Sequence, residues 1–235
     1  MGVLKIMENR ILPLFPRPLY LSGDKFLSDD DFDIWTKDLI SMLEKEPMNE
    51  NIGGNFGTVD QYIFNRPEFA HLKEYVLQHI SCFIHDGLKI KKHNEFYITQ
   101  SWINVNNTGS GHHTHRHYNS LVSGIFYVLG DLCPTTFINS NHGPLGLMFG
   151  FSVEEYNALN AGIRAVENTP NTLILFPSGM DHYVETNEAN KTRISIGFNS
   201  FVSGLIGTPE EGNLLHLKKE GEVESPLIKG EQVCL

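Results

Sequence analysis

The sequence predicts an α+β fold, mainly β, in which two helices cover one face of an antiparallel double-sheet body. Two observations carry this. Before Gly87, two segments repeat apolar residues at three- and four-residue steps. From Glu95 to Phe201 the pattern changes to short alternating or continuously apolar runs, bounded by Gly, Pro, Asn and Asp. Helices first and strands afterwards give helix layered on sheet rather than alternating βαβ units.

Residues 10–22 are apolar but broken by Pro13, Pro16 and Pro18. Proline removes ladder donors, so an edge strand or extended arm is expected. Ser28 followed by Asp29, Asp30 and Asp31 is a helix start, with acids at the positive end of the dipole. Phe32, Trp35, Leu39 and Met42 or Leu43 supply its buried face, and Pro47 ends it. Residues 48–60, rich in Asn and Gly, read as a flexible connection that could serve as a lid. Pro67 opens a second helix with the stripe Phe69, Leu72, Val76, Ile80 and Phe83, and Asp86-Gly87 stops it. His71, His79 and His85 on or near that helix read as surface or interfacial groups. Strands are expected at 95–105, 121–129, 135–140, 145–151, 172–176, 182–185 and 192–201. A long loop with a helical turn is expected at 152–171. After Gly207 the chain is charged and Gly-rich, an arm without apolar periodicity. The expected organisation is one domain over 1–235: an arm and helices in 1–94, the strand core in 95–204, and a C-terminal arm in 205–235.

The 235 residues are 40% apolar and 11% aromatic, enough for one sizeable core. Eighteen basic against twenty-eight acidic residues leave a net charge of -10, which opposes a broad phosphate-binding surface. No nucleic-acid partner is expected, and Lys89, Lys91 and Lys92 read as a solvated turn. No apolar run approaches the roughly 18 residues of a membrane span. The N-terminus lacks a signal-peptide pattern, and Ile6 stands where a myristoylation site wants Ser or Thr. Cys82, Cys133 and Cys234 form no CxxC, so a reducing cytoplasm is the simplest home.

Chemistry concentrates in Gly111-His112-His113-Thr114-His115-Arg116-His117, which holds four of the eleven histidines. Neutral imidazole is the commonest ligand for iron, zinc and copper. His115 and His117, at i and i+2, could aim two rings at one metal from a strand mouth. A solvated His-rich loop is the plain alternative. His182 follows a Phe-Pro turn, and Arg193-Ile194-Ser195 begins the last strong strand. Alternation puts Arg193, Ser195, Gly197 and Asn199 on one face and Ile194, Ile196 and Phe198 on the other. Arg193 suits a bidentate carboxylate clamp, and Ser195 can add a hydrogen bond to the same carboxylate.

With these pieces the sequence resembles the iron(II)- and 2-oxoglutarate-dependent oxygenases, most closely a group from marine bacteria and their phages with an HxH...H...RxS pattern. The matching residues are Trp102-Ile103-Asn104, the turn through His115 and His117, Ser123-Gly124-Ile125-Phe126-Tyr127, Leu175-Phe176-Pro177, His182 and Arg193 through Asn199. The resemblance implies a double-stranded β-helix (jelly-roll, cupin-like) core. It implies Fe(II) on His115, His117 and His182, and 2-oxoglutarate as co-substrate on Arg193 and Ser195, with Tyr127 and Asn104 orienting it. It implies O2-dependent hydroxylation of a C–H bond in a small-molecule or peptide substrate, releasing succinate and CO2. A homo-oligomer is compatible with it.

The chain departs from the superfamily at His117, where Asp or Glu is usual. Asp181 is an alternative carboxylate, although neighbours on a strand point to opposite faces. His113 and His115 are a register alternative. Two rival readings remain at this point. One is a cupin-like metalloenzyme, a three-His iron dioxygenase or zinc enzyme, against which Asn119, Ser120 and Leu121 stand where a cupin-type Glu would fall. The other is a non-catalytic jelly-roll binding module.

Overall fold

The computed structural model describes residues 11, 15–130, 133–139 and 152–218. The expected strand at 145–151, most of the C-terminal arm, Cys234 and the chain start lie outside these residues. The Pro-rich arm reaches β1 (Tyr20–Leu21), which pairs with the edge of the main sheet. α1 (Asp29–Leu43) starts as its sequence demands: the Ser28 hydroxyl accepts the Asp31 amide, and Asp29, Asp30 and Asp31 fill the first turn. Its buried residues are Phe32, Thr36 and Leu39. A short 3-10 turn at Pro67–Phe69 leads into α2 (Ala70–Ser81), which continues as a π-helical turn at Cys82–Gly87.

Residues 48–60 are not simply a flexible connection. They form a hairpin of β2 (Met48–Glu50) and β3 (Phe56–Thr58). The strands are three residues each and are held by backbone pairing, so no apolar alternation marks them. Gly53 and Gly54 take positive φ at the turn, a region that favours glycine. The Gly111 amide donates to the Gly53 carbonyl at 2.8 Å and ties this hairpin to the histidine stretch.

The long strands follow: β4 (Glu95–Asn106), β5 (His112–His115), β6 (Val122–Leu129), β7 (Thr135–Ile138), β8 (Ile163–Val166), β9 (Thr172–Pro177), β10 (His182–Val184) and β11 (Arg193–Ile206). Two segments expected to be irregular hold strands. β8, inside 152–171, pairs with β7, and β12 (Leu215–Leu217), inside the C-terminal arm, pairs with the end of β11. Both are short edge pieces, and the three residues Leu215-His216-Leu217 are too few for their alternation to mark a strand.

The strands make two antiparallel sheets. The main sheet runs β1-β9-β6-β11-β4-β3-β2, with β12 also on β11; the smaller sheet runs β5-β10-β7-β8. The helices cover the outer face of the main sheet. Phe32, Leu39, Leu72, Val76 and Ile80 share a core with Ile103, Phe126, Leu175, Ile194, Ile196 and Phe198. His79 sits at this helix-arm interface, its Nδ1 2.8 Å from Tyr20 Oη. Between the sheets a second cluster joins Tyr127, Ile174 and Phe176 to Phe137. No described helix is long and apolar enough to cross a membrane.

Period-2 alternation then fixes what β4 and β11 point inward. The register pairs Asn199 with Gln100, Gly197 with Trp102, Ser195 with Asn104 and Arg193 with Asn106. The result is a polar double row on the inner face of the main sheet, opposite the smaller sheet that carries the histidines.

Candidate metal and co-substrate site

β5 and β10 are neighbours, and their register sets His115 directly opposite His182. His117 lies just beyond β5, its amide donating to the Ser178 carbonyl at 3.0 Å, which turns its ring back to the pair. Ring centroids are 4.3 Å apart for His115–His182, and 5.1 Å for both His115–His117 and His117–His182. One ring nitrogen from each lies within 4.8 Å of the others, a spacing that a single metal ion can bridge.

The tautomers are set for ligation. His115 Nδ1 is 2.8 Å from the His113 carbonyl, and His182 Nδ1 is 3.0 Å from the Met180 carbonyl. Each Nδ1–H is thereby committed to a backbone oxygen, leaving Nε2 with its lone pair for a metal. Burial first, and neighbouring rings second, pull His117 down to about 3 and His182 to about 4. Burial lowers His115 as well. All three are therefore neutral at physiological pH, as ligation requires.

Asp181 does not join them. Arg116 holds its carboxylate through Nε at 2.7 Å and Nη2 at 2.9 Å. A second convergent set, His112, His113 and His115, also exists. Its His113 is exposed, with Nδ1 3.1 Å from the Ile52 carbonyl. We favour the set containing His182, which is 2% exposed and borders the same recess as Arg193. Sequence spacing had no means of placing His112, which turns out to line that recess. Its ring stacks on His115 at 4.3 Å, and burial lowers its pKa to about 3.

Arg193 is 2% exposed and, among the described residues, has no carboxylate partner. Its Nη1 donates to Ser195 Oγ at 2.9 Å and to Asn106 Oδ1 at 3.3 Å, and its Nη2 reaches Thr135 Oγ1 at 3.5 Å. Among the described residues its Nε has no acceptor. Burial lowers the pKa of this guanidinium, yet an arginine does not lose its proton in a protein. An uncompensated buried cation is costly, so the pocket is built for an anion. Tyr127 flanks it, with Arg193 Cζ 5.7 Å from the ring centroid and the Tyr127 hydroxyl donating to Thr135 Oγ1 at 3.1 Å. Asn104 Oδ1 and Asn106 Nδ2 are also buried without partners, and both residues border the recess. Arg193 Nε and Asn106 Nδ2 are two orphaned donors around one recess and fit an anionic occupant such as 2-oxoglutarate. The recess is narrow, about 30 Å³, and meets a wider outer pocket at Trp102, Asn104, His112, His115 and His117.

A larger groove of about 960 Å³ lies elsewhere, bordered by Ile40, Leu43, Met48, Phe56, Leu129 and Ile194 among others. Size would favour it, but it contains neither the histidines nor Arg193, and its walls are mainly apolar. The chemistry lies between the sheets.

Solved structures define the fold first. The epimerase SnoN, crystallised with Fe3+, alpha ketoglutarate and nogalamycin RO, matches with a TM-score of 0.56 at 10% identity, over 79% of each chain. A Pseudomonas putida prolyl-4-hydroxylase matches with a TM-score of 0.51 at 16% identity, over 78% of this chain and 92% of its own. EctD from S. alaskensis, crystallised with 2-oxoglutarate and 5-hydroxyectoine, gives 0.52 at 14%, over 78% and 72%. At these identities the likeness establishes the fold, which is the jelly roll of 2-oxoglutarate oxygenases. Residues 100–199, which contain every candidate ligand and clamp residue, match a family described as "Putative 2OG-Fe(II) oxygenase". Over that core the chain is similar to the 2OG-Fe(II) oxygenases in sequence as well as in fold. No curated protein matches it.

Proposed function

We propose that the protein hydroxylates a C–H bond of a small-molecule or peptide substrate in an Fe(II)- and 2-oxoglutarate-dependent reaction, with His115, His117 and His182 holding the metal. The observation that carries this reading is Arg193, a buried guanidinium with an empty Nε in the recess that three convergent imidazoles border. A cupin-like metal site alone gives such a cation no role.

Fe(II) together with 2-oxoglutarate supplies O2 activation coupled to decarboxylation, with succinate and CO2 as products. The chain's own residues do the rest. Arg193 and Ser195 bind the far carboxylate of 2-oxoglutarate, and Tyr127 walls that end against water. Asn106 offers a free amide group to the acceptor oxygens of the ligand, and Asn104 borders the recess where it meets the outer pocket. Among the described residues no hydrogen bond holds the His112 ring, so it is the wall that can turn aside when the narrow recess fills. The backbone carbonyls of His113 and Met180 keep two ligand rings in the tautomer that leaves Nε2 free. We read residues 1–235 as one oxygenase domain. We place it in a reducing cytoplasm, a reading supported by Cys82 and Cys133 both being free thiols.

The test is anaerobic titration of 2-oxoglutarate into the Fe(II)-loaded protein, following the metal-to-ligand charge-transfer band. Saturable appearance of the band is expected, with succinate formed once O2 is admitted. A protein that binds Fe(II) but gives neither band nor succinate is not a 2-oxoglutarate oxygenase.

A further inference from the structure

The polar double row on β4 and β11 has two ends. The inner end holds Arg193, Ser195 and Asn106. The outer end opens into a pocket of about 260 Å³ that shares His112, His115 and His117 with the inner recess. We propose that this outer pocket is the primary-substrate subsite and that it takes an uncharged, hydroxyl-bearing ring about the size of one sugar residue. The inference rests on the oxygenase reading above and adds the substrate class to it.

The lining argues first from what it lacks. Among the described residues no Asp, Glu, Lys or Arg borders the pocket, and six carboxamides do: Asn49, Asn51, Gln61, Gln100, Asn104 and Asn199. An ionised substrate group would be desolvated there with no counter-charge. A purely apolar group would strand the amides. A hydroxyl both donates and accepts, and so suits a wall that presents both carbonyl oxygens and amide groups.

Part of that wall is already oriented. The Ser123 hydroxyl donates to Asn199 Oδ1 at 2.7 Å, Asn199 Nδ2 to Gln100 Oε1 at 3.2 Å, and Gln100 Nε2 to Gln61 Oε1 at 3.3 Å. This one-way relay leaves the Gln61 amide group as a donor at the rim. Asn104 Oδ1, buried and without a partner, is an acceptor at the metal end. A ring reaching from rim to metal meets a donor at one side and an acceptor at the other.

Trp102 supplies the flat surface. Its indole lies against the backbone of Gly197, where a Cβ would come within 2.7 Å of Cε2. Only glycine lets the ring settle on the sheet in this way. Trp102 borders the pocket, and its centroid is 5.7 Å from that of His117. An apolar face beside a ring of amides matches a saturated ring with C–H bonds on its face and hydroxyls at its edge. The volume falls below the roughly 300–1,000 Å³ of whole-ligand sites. It accommodates one such ring and leaves the rest of a larger substrate outside.

The experiment is anaerobic calorimetry on the protein loaded with Fe(II) and 2-oxoglutarate. The probes are methyl β-glucoside (neutral), glucosamine (cationic) and glucuronate (anionic). Methyl β-glucoside should bind at least about tenfold tighter than either charged sugar. Trp102→Leu should weaken it by at least about tenfold. Gln61→Glu, at the exposed rim, should shift the preference toward glucosamine by about tenfold while keeping the 2-oxoglutarate charge-transfer band. If wild type shows that band but binds a charged sugar as tightly as the glucoside, or binds no neutral sugar, the substrate class is overturned and the oxygenase reading stands. If wild type shows no band, the reading beneath both is overturned.

Discussion

Replacing Arg193 with Met separates a ligand clamp from a structural arginine, because the two roles predict opposite effects on the empty protein. In the ligand-free fold the guanidinium is buried, lacks a carboxylate and has an unpartnered Nε. Its contacts are the neutral oxygens of Ser195, Asn106 and Thr135, at 2.9, 3.3 and 3.5 Å. Only the contact to Ser195 is short; a hydrogen bond to a charged group contributes about 1.5–3 kcal/mol, and the two longer ones contribute less. Burying an uncompensated cation costs several kcal/mol. Met fills similar volume without charge, so ligand-free Arg193→Met should melt no lower than wild type. With 2-oxoglutarate the order reverses. At a ligand concentration about 100 times Kd, wild type gains about 2.7 kcal/mol, roughly 5–11 °C for a chain of this size. Charge-assisted hydrogen bonds contribute about 1.5–3 kcal/mol, so losing the clamp should raise Kd at least about tenfold to a hundredfold. The shift should fall to about half or less. Differential scanning calorimetry with and without 2-oxoglutarate reads both effects. A ligand-free variant that unfolds many degrees early would make Arg193 a structural group. An undiminished ligand shift would move the clamp elsewhere.

Three further outcomes follow from the site. His115→Ala and His182→Ala should each abolish stoichiometric Fe(II) binding while His112→Ala keeps it; metal analysis showing the reverse for His112 and His182 would favour the His112, His113 and His115 set. His117→Ala should weaken Fe(II) binding about as much as His115→Ala, whereas His117→Asp, which restores the superfamily's usual carboxylate, should keep it; equilibrium dialysis separates a ligand from an outer neighbour, whose loss typically costs about 10- to 100-fold. The metal-free protein should lose stability as pH falls below about 6.5 toward 4, because His182 is held near 4 by burial while the unfolded chain takes up its proton near 6.5. At pH 5 that one ring costs about 2 kcal/mol. His112 and His117 act in the same direction, and a melting temperature unchanged between pH 7 and pH 5 would contradict their burial as neutral rings.

Side-chain pattern made much of this legible. The caps and stripes of α1 and α2 follow from Ser28, Pro67 and their apolar spacing, and the inward row Arg193, Ser195, Gly197 and Asn199 follows from period-2 alternation. His115 and His182 were grouped by the family resemblance and not by their spacing, because their opposition depends on the β5-β10 register. The hairpin at Met48–Thr58 and the strands Ile163–Val166 and Leu215–Leu217 went unseen for one reason. Each is held by backbone pairing at an edge, and backbone hydrogen bonds leave no trace in side-chain periodicity. His112 was missed differently. At the start of a short strand its direction depends on the chain's entry at Gly111, whose amide is anchored to Gly53 from across the sheet. No local spacing encodes that anchor. The amide-lined outer pocket was equally hidden, since Asn49, Gln61, Gln100 and Asn199 come from four separate stretches.

The proposed all-histidine set would change the charge balance that 2-oxoglutarate meets. In the usual site a carboxylate ligand offsets one of the two positive charges of Fe(II). Here three neutral rings offset none, and Arg193 adds a further buried cation in the adjoining recess. Both anionic ends of 2-oxoglutarate therefore meet uncompensated charge, one at the metal and one at Arg193. Filling the recess removes a larger repulsion than in a carboxylate-bearing site. Metal and co-substrate should then be strongly coupled: 2-oxoglutarate should tighten Fe(II), and by linkage Fe(II) should tighten 2-oxoglutarate by the same factor. A coupling of about 1–3 kcal/mol, roughly 5- to 150-fold, is the ordinary range for two linked sites, and this site belongs at its upper end. His117→Asp supplies the missing negative charge within the protein, so it should hold Fe(II) better alone and gain less from 2-oxoglutarate. Competition for Fe(II) against a calibrated chelator, with and without 2-oxoglutarate, measures the factor in both proteins. Equal coupling in wild type and His117→Asp would mean that His117 does not stand where the superfamily places its carboxylate.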